Sequence, residues 1–247
     1  MQFSLIIPSR QRTELLYNLL YSVKDISADT HNLEALIVID SDDIGTQKIR
    51  QQYTQEFPFA RFLSRERSQW LNRDYINYAA ERSQGKYLAL LNDDVVFTTR
   101  GWDAIAFAKC EEYLKPDGLL YGMTQDGSDE LRDWQQLTYT SFPIISRKAA
   151  EVLNYAMPPW MRSWGADIYL YKLFNAVERV LNLREICFYH VSHHNQARER
   201  DRVNDHVQYL AELEGYNDDP KFDINRLKTY LSQVYLLPEL RQQILAR

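Results

Sequence analysis

The sequence predicts an α/β domain built on a mainly parallel sheet flanked by helices. Two observations carry this. Short, mostly apolar runs at residues 3–7, 35–39 and 86–91, the first two carrying β-branched residues, have the unalternating character of strands buried on both faces. Between them lie segments whose apolar residues recur at helical spacing. At 247 residues, with 45% hydrophobic and 26% charged side chains, one sizeable core is the expectation.

Taken in order, residues 3–7 form the first strand, which Pro8 is expected to end. Leu15, Leu16, Leu19, Leu20 and Val23 put one apolar face on a helix from Thr13 to about Lys24. Residues 35–39 are the second strand, giving a right-handed βαβ unit, and Asp40-Ser41-Asp42-Asp43 caps it. A helix near 46–56, a short strand at 61–63 and a helix over 72–83 follow, with Gly85 as the expected C-cap. Residues 86–91 form the next buried strand, which runs into Asn92-Asp93-Asp94. In open α/β sheets ligands bind beyond the carboxyl ends of strands, so these acidic turns face one crevice.

Beyond Gly101-Trp102 a helix is predicted over 102–114, then an irregular polar stretch over 116–141 with Gly118, Gly122 and Gly127 as turns. A strand at 142–145, helices at 147–155 and 167–182, and a strand at 185–191 complete the main domain. From Ala197 onward the pattern is charged and helical, broken at Pro220 and Pro238. The expected organisation is one domain over 1–195, with a helical C-terminal extension at 196–247 packed on it.

Lys and Arg number 29 against 34 Asp and Glu, a formal charge of -5 that gives no global pull toward nucleic acid or anionic membranes. A nucleic-acid acceptor is disfavoured but stays open. Cys110 and Cys187 stand far apart, outside any CxxC pattern, so neither a disulfide framework nor a Cys zinc site is indicated. No segment reaches the roughly 18 apolar residues of a membrane span, and the opening residues do not read as a signal peptide. The chain reads as cytoplasmic.

Asn92-Asp93-Asp94 puts carboxylates at a strand end with no Lys or Arg adjacent in sequence, a pattern suited to Mg²⁺ or Mn²⁺. Alone, two acids after a strand also fit a helix cap or a solvated turn. The surroundings add weight. Ile6-Ile7-Pro8-Ser9-Arg10-Gln11-Arg12, the acidic turn at Asp40-Ser41-Asp42, the Asn-x7-Gly spacing of Asn77 and Gly85 before Asn92-Asp93-Asp94, and Gly101-Trp102 together resemble glycosyltransferase family 2, of GT-A fold. The resemblance covers roughly residues 3–194, with about 1–100 as the nucleotide-sugar side and about 101–195 as the acceptor side.

The resemblance implies a metal-dependent, inverting transfer from a nucleotide-sugar donor, a UDP-sugar foremost, to a glycan or other hydroxyl acceptor. It places Pro8, Ser9 and Arg12 in the base and ribose pocket. Asp40, Asn77 and Asp93 become further donor contacts, and Asp94 the metal ligand. With Asn92 at the first position of the acidic motif, metal binding rests on Asp94. For Asp40 and Asp42, turn capping and ligand contact are equally good readings.

Ser163-Trp164-Gly165-Ala166-Asp167 resembles the Trp-Gly-Gly-Glu-Asp stretch of inverting galactosyltransferases, which makes Asp167 the proton acceptor for the attacking hydroxyl. Capping the following helix is compatible with that role. Ala166 replaces the usual Glu and leaves the acceptor unspecified. After the last strand, His190 and then His193 are candidates to complete the metal shell, with His194 beside them. Arg198, Arg200 and Arg202 fit either a phosphate-binding loop or a solvated helix face. Two other readings stay open. A sugar nucleotidyltransferase would need a Gly-rich phosphate loop after the first strand, and residues 8–12 contain no glycine. A non-catalytic nucleotide- or glycan-binding domain would bind without turnover.

Overall fold

The computed structural model describes residues 1–127, 139–163, 165–191 and 221–245. Eight strands form one sheet: β1 (Phe3–Ser9), β2 (Leu33–Asp40), β3 (Ala60–Arg65), β4 (Tyr87–Leu90), β5 (Val95–Phe97), β6 (Tyr121–Asp126), β7 (Ile144–Ser146) and β8 (Val180–His190). Their order across the sheet is β3-β2-β1-β4-β7-β6-β8-β5. The first half, β3 to β4, is wholly parallel, whereas β7 and β5 run against their neighbours.

Helices cover both faces. On one lie α1 (Thr13–Ile26), α2 (Ile44–Glu56) and α4 (Trp102–Tyr113). On the other lie a π-helical turn (Leu71–Asn77) running into α3 (Tyr78–Ala80), then α5 (Arg147–Leu153), α6 (Ala166–Ala176) and the C-terminal α7 (Lys221–Leu245). Alternation along β1 builds both cores: Phe3, Leu5 and Ile7 meet Leu16, Leu19, Leu20 and Trp102, while Ile6 joins the Tyr121 and Leu170 side. Each such fully buried aliphatic side chain contributes about 1.5–3 kcal/mol.

Several expectations change. Pro8 does not end β1, which continues to Ser9, because β4 pairs with β1 only as far as Ile6. The stretch 116–141 contains β6, with Gly122 inside it, paired with Leu181 and pressed against the Leu183 side chain, rather than at a turn. The helix expected over 167–182 stops at Ala176, and β8 begins at Val180. Gly85 is no left-handed cap. A Cβ there would stand 2.4 Å from the Ser4 backbone nitrogen, so the glycine lets the chain press onto β1. Pro238 does not break α7, and β5 went unread because three residues give no periodicity.

The C-terminal helix α7 is tied to the rest of the fold by buried and part-buried polar contacts. Asp223 accepts hydrogen bonds from the Tyr155 and Tyr169 hydroxyls at 2.6 and 2.5 Å. Arg179 donates to Asp117 Oδ2 at 2.9 Å, Tyr235 donates to the same carboxylate, and Tyr230 donates to the Asp117 carbonyl at 2.7 Å. No described helix is long and apolar enough to cross a membrane.

Candidate active site

The site forms where β1, β2, β4 and β8 end. Gln11, at φ 54, occupies the turn after β1, and its amide donates to Asp43 Oδ2 at 2.8 Å. Asp43 also caps α2 by accepting from the Thr46 amide at 3.1 Å. On either side of this turn the two arginines take different partners. Arg10 donates to Asp40 at 2.6 Å and grips Asp42 through both guanidinium nitrogens. Arg12 donates to Asp93 Oδ1 at 2.8 Å and stands 3.7 Å from Asp94 Oδ2.

Asp93 is buried and satisfied from both sides, with Ser9 Oγ donating to Oδ2 at 2.9 Å. Burial pushes its carboxyl up from the ordinary value; the Arg12 charge opposes this, the adjacent Asp94 charge adds to it, and the net direction is upward. Arg12 therefore compensates two neighbouring acids held in a dry setting. Asp40, also buried, accepts from the Tyr75 hydroxyl as well as from Arg10. Burial and this carboxylate push the Tyr75 phenol up to about 12.

The end of β8 is stitched to the acidic loop. Val95 pairs with His190, and the Val191 amide donates to the Asp94 carbonyl at 2.8 Å. His190 Nε2 then lies 3.3 Å from Asp94 Oδ1, and Nδ1 lies 3.5 Å from Asp126 Oδ2. Burial disfavours the imidazolium, but hydrogen bonds to Asp126 and Asp94 outweigh it and push His190 up to about 9.

One carboxylate oxygen and one imidazole nitrogen, 3.3 Å apart, have the spacing of two neighbouring ligands of a small divalent cation. Among the described residues no group of three or more His, Cys, Asp and Glu is arranged to hold an ion by itself. A cation held by Asp94 and His190 would thus draw its other ligands from phosphate and water.

Ser9, Arg12, Asp93, Asp94 and His190 come together through these contacts, with Pro8 preceding Ser9 in β1, while Asp40 is bound by Arg10 of the following turn. Asn77 has another task. Its Oδ1 accepts from the Ala156 and Met157 amides at 2.8 and 2.9 Å, and its Nδ2 donates to the Met157 carbonyl, so it braces the loop ahead of α6. Asp167 stands in the first turn of α6, where the Ile168 amide donates to it at 2.9 Å. Burial pushes its carboxyl up, against that hydrogen bond. His193, His194, Trp164 and Arg198 to Arg202 lie outside the described residues. Sequence reasoning missed Arg10, Tyr75 and Asp126. Arg10 was visible in the Ser-Arg-Gln-Arg turn, but Asp126 is revealed only by the pairing of β6 with β8.

The sequence model of the family described as Glycosyl transferase family 2 matches residues 4–158. No curated protein matches the sequence. Among solved structures, S. aureus TarS 1–349 in complex with UDP aligns with a TM-score of 0.63 at 14% identity, over 94% of this chain and 71% of that one. Of the longer S. aureus TarS chain the alignment covers 43%. Mannosyltransferase PcManGT from Pyrobaculum calidifontis, in complex with GDP-Man and Mn²⁺, aligns with a TM-score of 0.63 at 12% identity, over 95% of this chain and 70% of that one. GalNAc-T7 with UDP, GalNAc and Mn²⁺ aligns with a TM-score of 0.58 at 13% identity, over 77% and 44%. At these identities the structural likeness establishes the fold.

Proposed function

The chain belongs to glycosyltransferase family 2, and from that premise we propose that it transfers a sugar, with inversion, from a nucleotide-diphosphate donor to a hydroxyl acceptor. The observation that carries this reading is the meeting of Asp94 and His190 at 3.3 Å, because it joins the acidic loop after β4 to the end of β8. Asp94 and His190 would hold Mn²⁺ or Mg²⁺. When bound, the cation supplies charge neutralisation for the departing nucleotide diphosphate.

The remaining tasks fall to the chain's own groups. Pro8, Ser9, Arg12 and Asp93 lie at the end of β1, where the donor's nucleoside is expected, and Ser9 and Arg12 each donate a hydrogen bond to the Asp93 carboxylate. Asp167 takes the proton of the acceptor hydroxyl as that oxygen bonds to the anomeric carbon and the bond to the diphosphate oxygen breaks. Its raised carboxyl makes it a stronger base than a solvated aspartate. The structural neighbours are complexes with UDP, UDP-GlcNAc and GDP-Man, so UDP-sugars head the donor candidates, with GDP-sugars next.

A thermal-shift panel of UDP-, GDP- and dTDP-sugars, each with and without Mn²⁺, tests the proposal. A shift that needs nucleotide and metal together is the expected result. Stabilisation by nucleotide that ignores Mn²⁺ would remove the metal from the reading, and no shift with any donor would sink it.

A further inference from the structure

Asp126 has no role in the reading so far, yet it contacts the proposed metal-binding histidine. We propose that Asp126 is a positioning residue that fixes the His190 ring so that Nε2 is presented to the Asp94 carboxylate. This rests on the reading of Asp94 and His190 as metal ligands.

The placement depends on a break in strand register. Thr124 pairs with Leu183 but Gln125 pairs with Cys187, so Arg184, Glu185 and Ile186 of β8 have no opposite residue on β6. Had pairing stayed in step, Asp126 would oppose Glu185, a like charge five residues short of His190. The bulge instead sets Asp126 opposite Phe188, whose side chain points to the same face as that of His190 two residues on. Bulges are used to re-aim side chains beside active sites, and here the product is the 3.5 Å contact from His190 Nδ1 to Asp126 Oδ2. Phe142 closes the ring's remaining freedom with an edge-on contact, centroids 5.0 Å apart at 85°.

With Nδ1 directed at Asp126, the other nitrogen is the one 3.3 Å from Asp94. A carboxylate on the far nitrogen of a metal-binding imidazole fixes its tautomer and orientation, and losing such a partner typically weakens metal binding roughly 10–100-fold. Asp126 thereby links the acceptor-side strand β6 to the metal position.

Titration of Mn²⁺ into the whole protein in the presence of UDP, and separately GDP, read by the electron paramagnetic resonance of free Mn²⁺, tests this. Asp126→Ala should lose about 10–100-fold in Mn²⁺ affinity. Asp126→Asn should recover most of it, because the amide oxygen still accepts from Nδ1–H. His190→Ala sets the floor. Wild-type affinity in Asp126→Ala overturns the inference. An Asp126→Asn variant as weak as Asp126→Ala also does so, since the carboxylate would then act as a ligand through its charge. Wild-type protein that takes up no Mn²⁺ with either nucleotide overturns the metal reading itself, and this inference with it.

Discussion

Arg12 donates to Asp93 at 2.8 Å from a turn at the end of β1, and so places a cation beside two consecutive acids that are both buried. The pair ties the acidic loop after β4 to the end of β1. Removing one partner of a buried ion pair leaves a desolvated charge, which costs roughly 3–5 kcal/mol. Arg12→Met should therefore lower the urea midpoint strongly, while Arg12→Lys keeps the charge and loses less. Equal midpoints for Arg12→Met and wild type would show that the Arg12 charge does not stabilise the acids.

Asp94→Asn and His190→Ala should abolish the Mn²⁺-dependent part of the donor-induced thermal shift and reduce transfer by orders of magnitude. Both variants should still fold, because Val191–Asp94 and Val95–His190 are backbone contacts that the substitutions leave in place. Circular dichroism and the thermal-shift panel together check this. A metal-dependent shift surviving in both variants would remove them as ligands.

Asp167→Asn separates chemistry from folding. Burial pushes this carboxyl up, so the fold disfavours the ionised form, and the cost grows as pH rises past the ordinary carboxylate value. At pH 7 the asparagine variant should melt higher than wild type, bind donor and metal unchanged, and transfer no sugar. Full activity in the variant would reassign the base.

Much of the parallel half of the sheet was legible because burial on both faces forces unbroken apolar runs, as at 35–39 and 86–91. In the mixed half only β7 and β8 were legible, as the strands expected at 142–145 and 185–191. β5 is too short to carry periodicity, and β6 mixes Gly122, Thr124 and Gln125 with its apolar residues. The same division runs through the site. Ser9, Arg12, Asp93 and Asp94 sit in local motifs, whereas the partnership of His190 with Asp126 depends on a register shift between distant strands.

Gly85 illustrates a correct spacing with a different cause, and a pair of glycines tests it. Gly85→Ala must push a Cβ to 2.4 Å from the Ser4 nitrogen and 2.6 Å from the Phe3 carbonyl carbon, both backbone atoms that cannot swing aside. Severe destabilisation or failure to accumulate folded protein is expected. Gly101 has φ +69 with open space around its Cβ position, so Gly101→Ala should cost only about 1–2 kcal/mol. Similar melting temperatures for the two variants would contradict the close-approach reading.

The attachment of α7 should be acid-sensitive through Asp117. Burial would push this carboxyl up, but hydrogen bonds from Arg179, Tyr235 and the Leu119 amide outweigh burial and hold it below the ordinary range. A depressed carboxyl contributes stability that is fully present above its unfolded value, near 4, and is lost as pH falls through the lower folded value. Limited proteolysis should cut within 221–245 more readily as pH drops below about 4. Asp117→Asn should give the same release at neutral pH, with a loss of roughly 3 kcal/mol because Arg179 is left buried without its counter-charge. Tyr235→Phe removes one half-exposed hydrogen bond and should cost about 1 kcal/mol or less. If acid and Asp117→Asn leave the proteolysis pattern unchanged, α7 is held instead by the Asp223 hydrogen bonds and by apolar contacts such as that of Leu227.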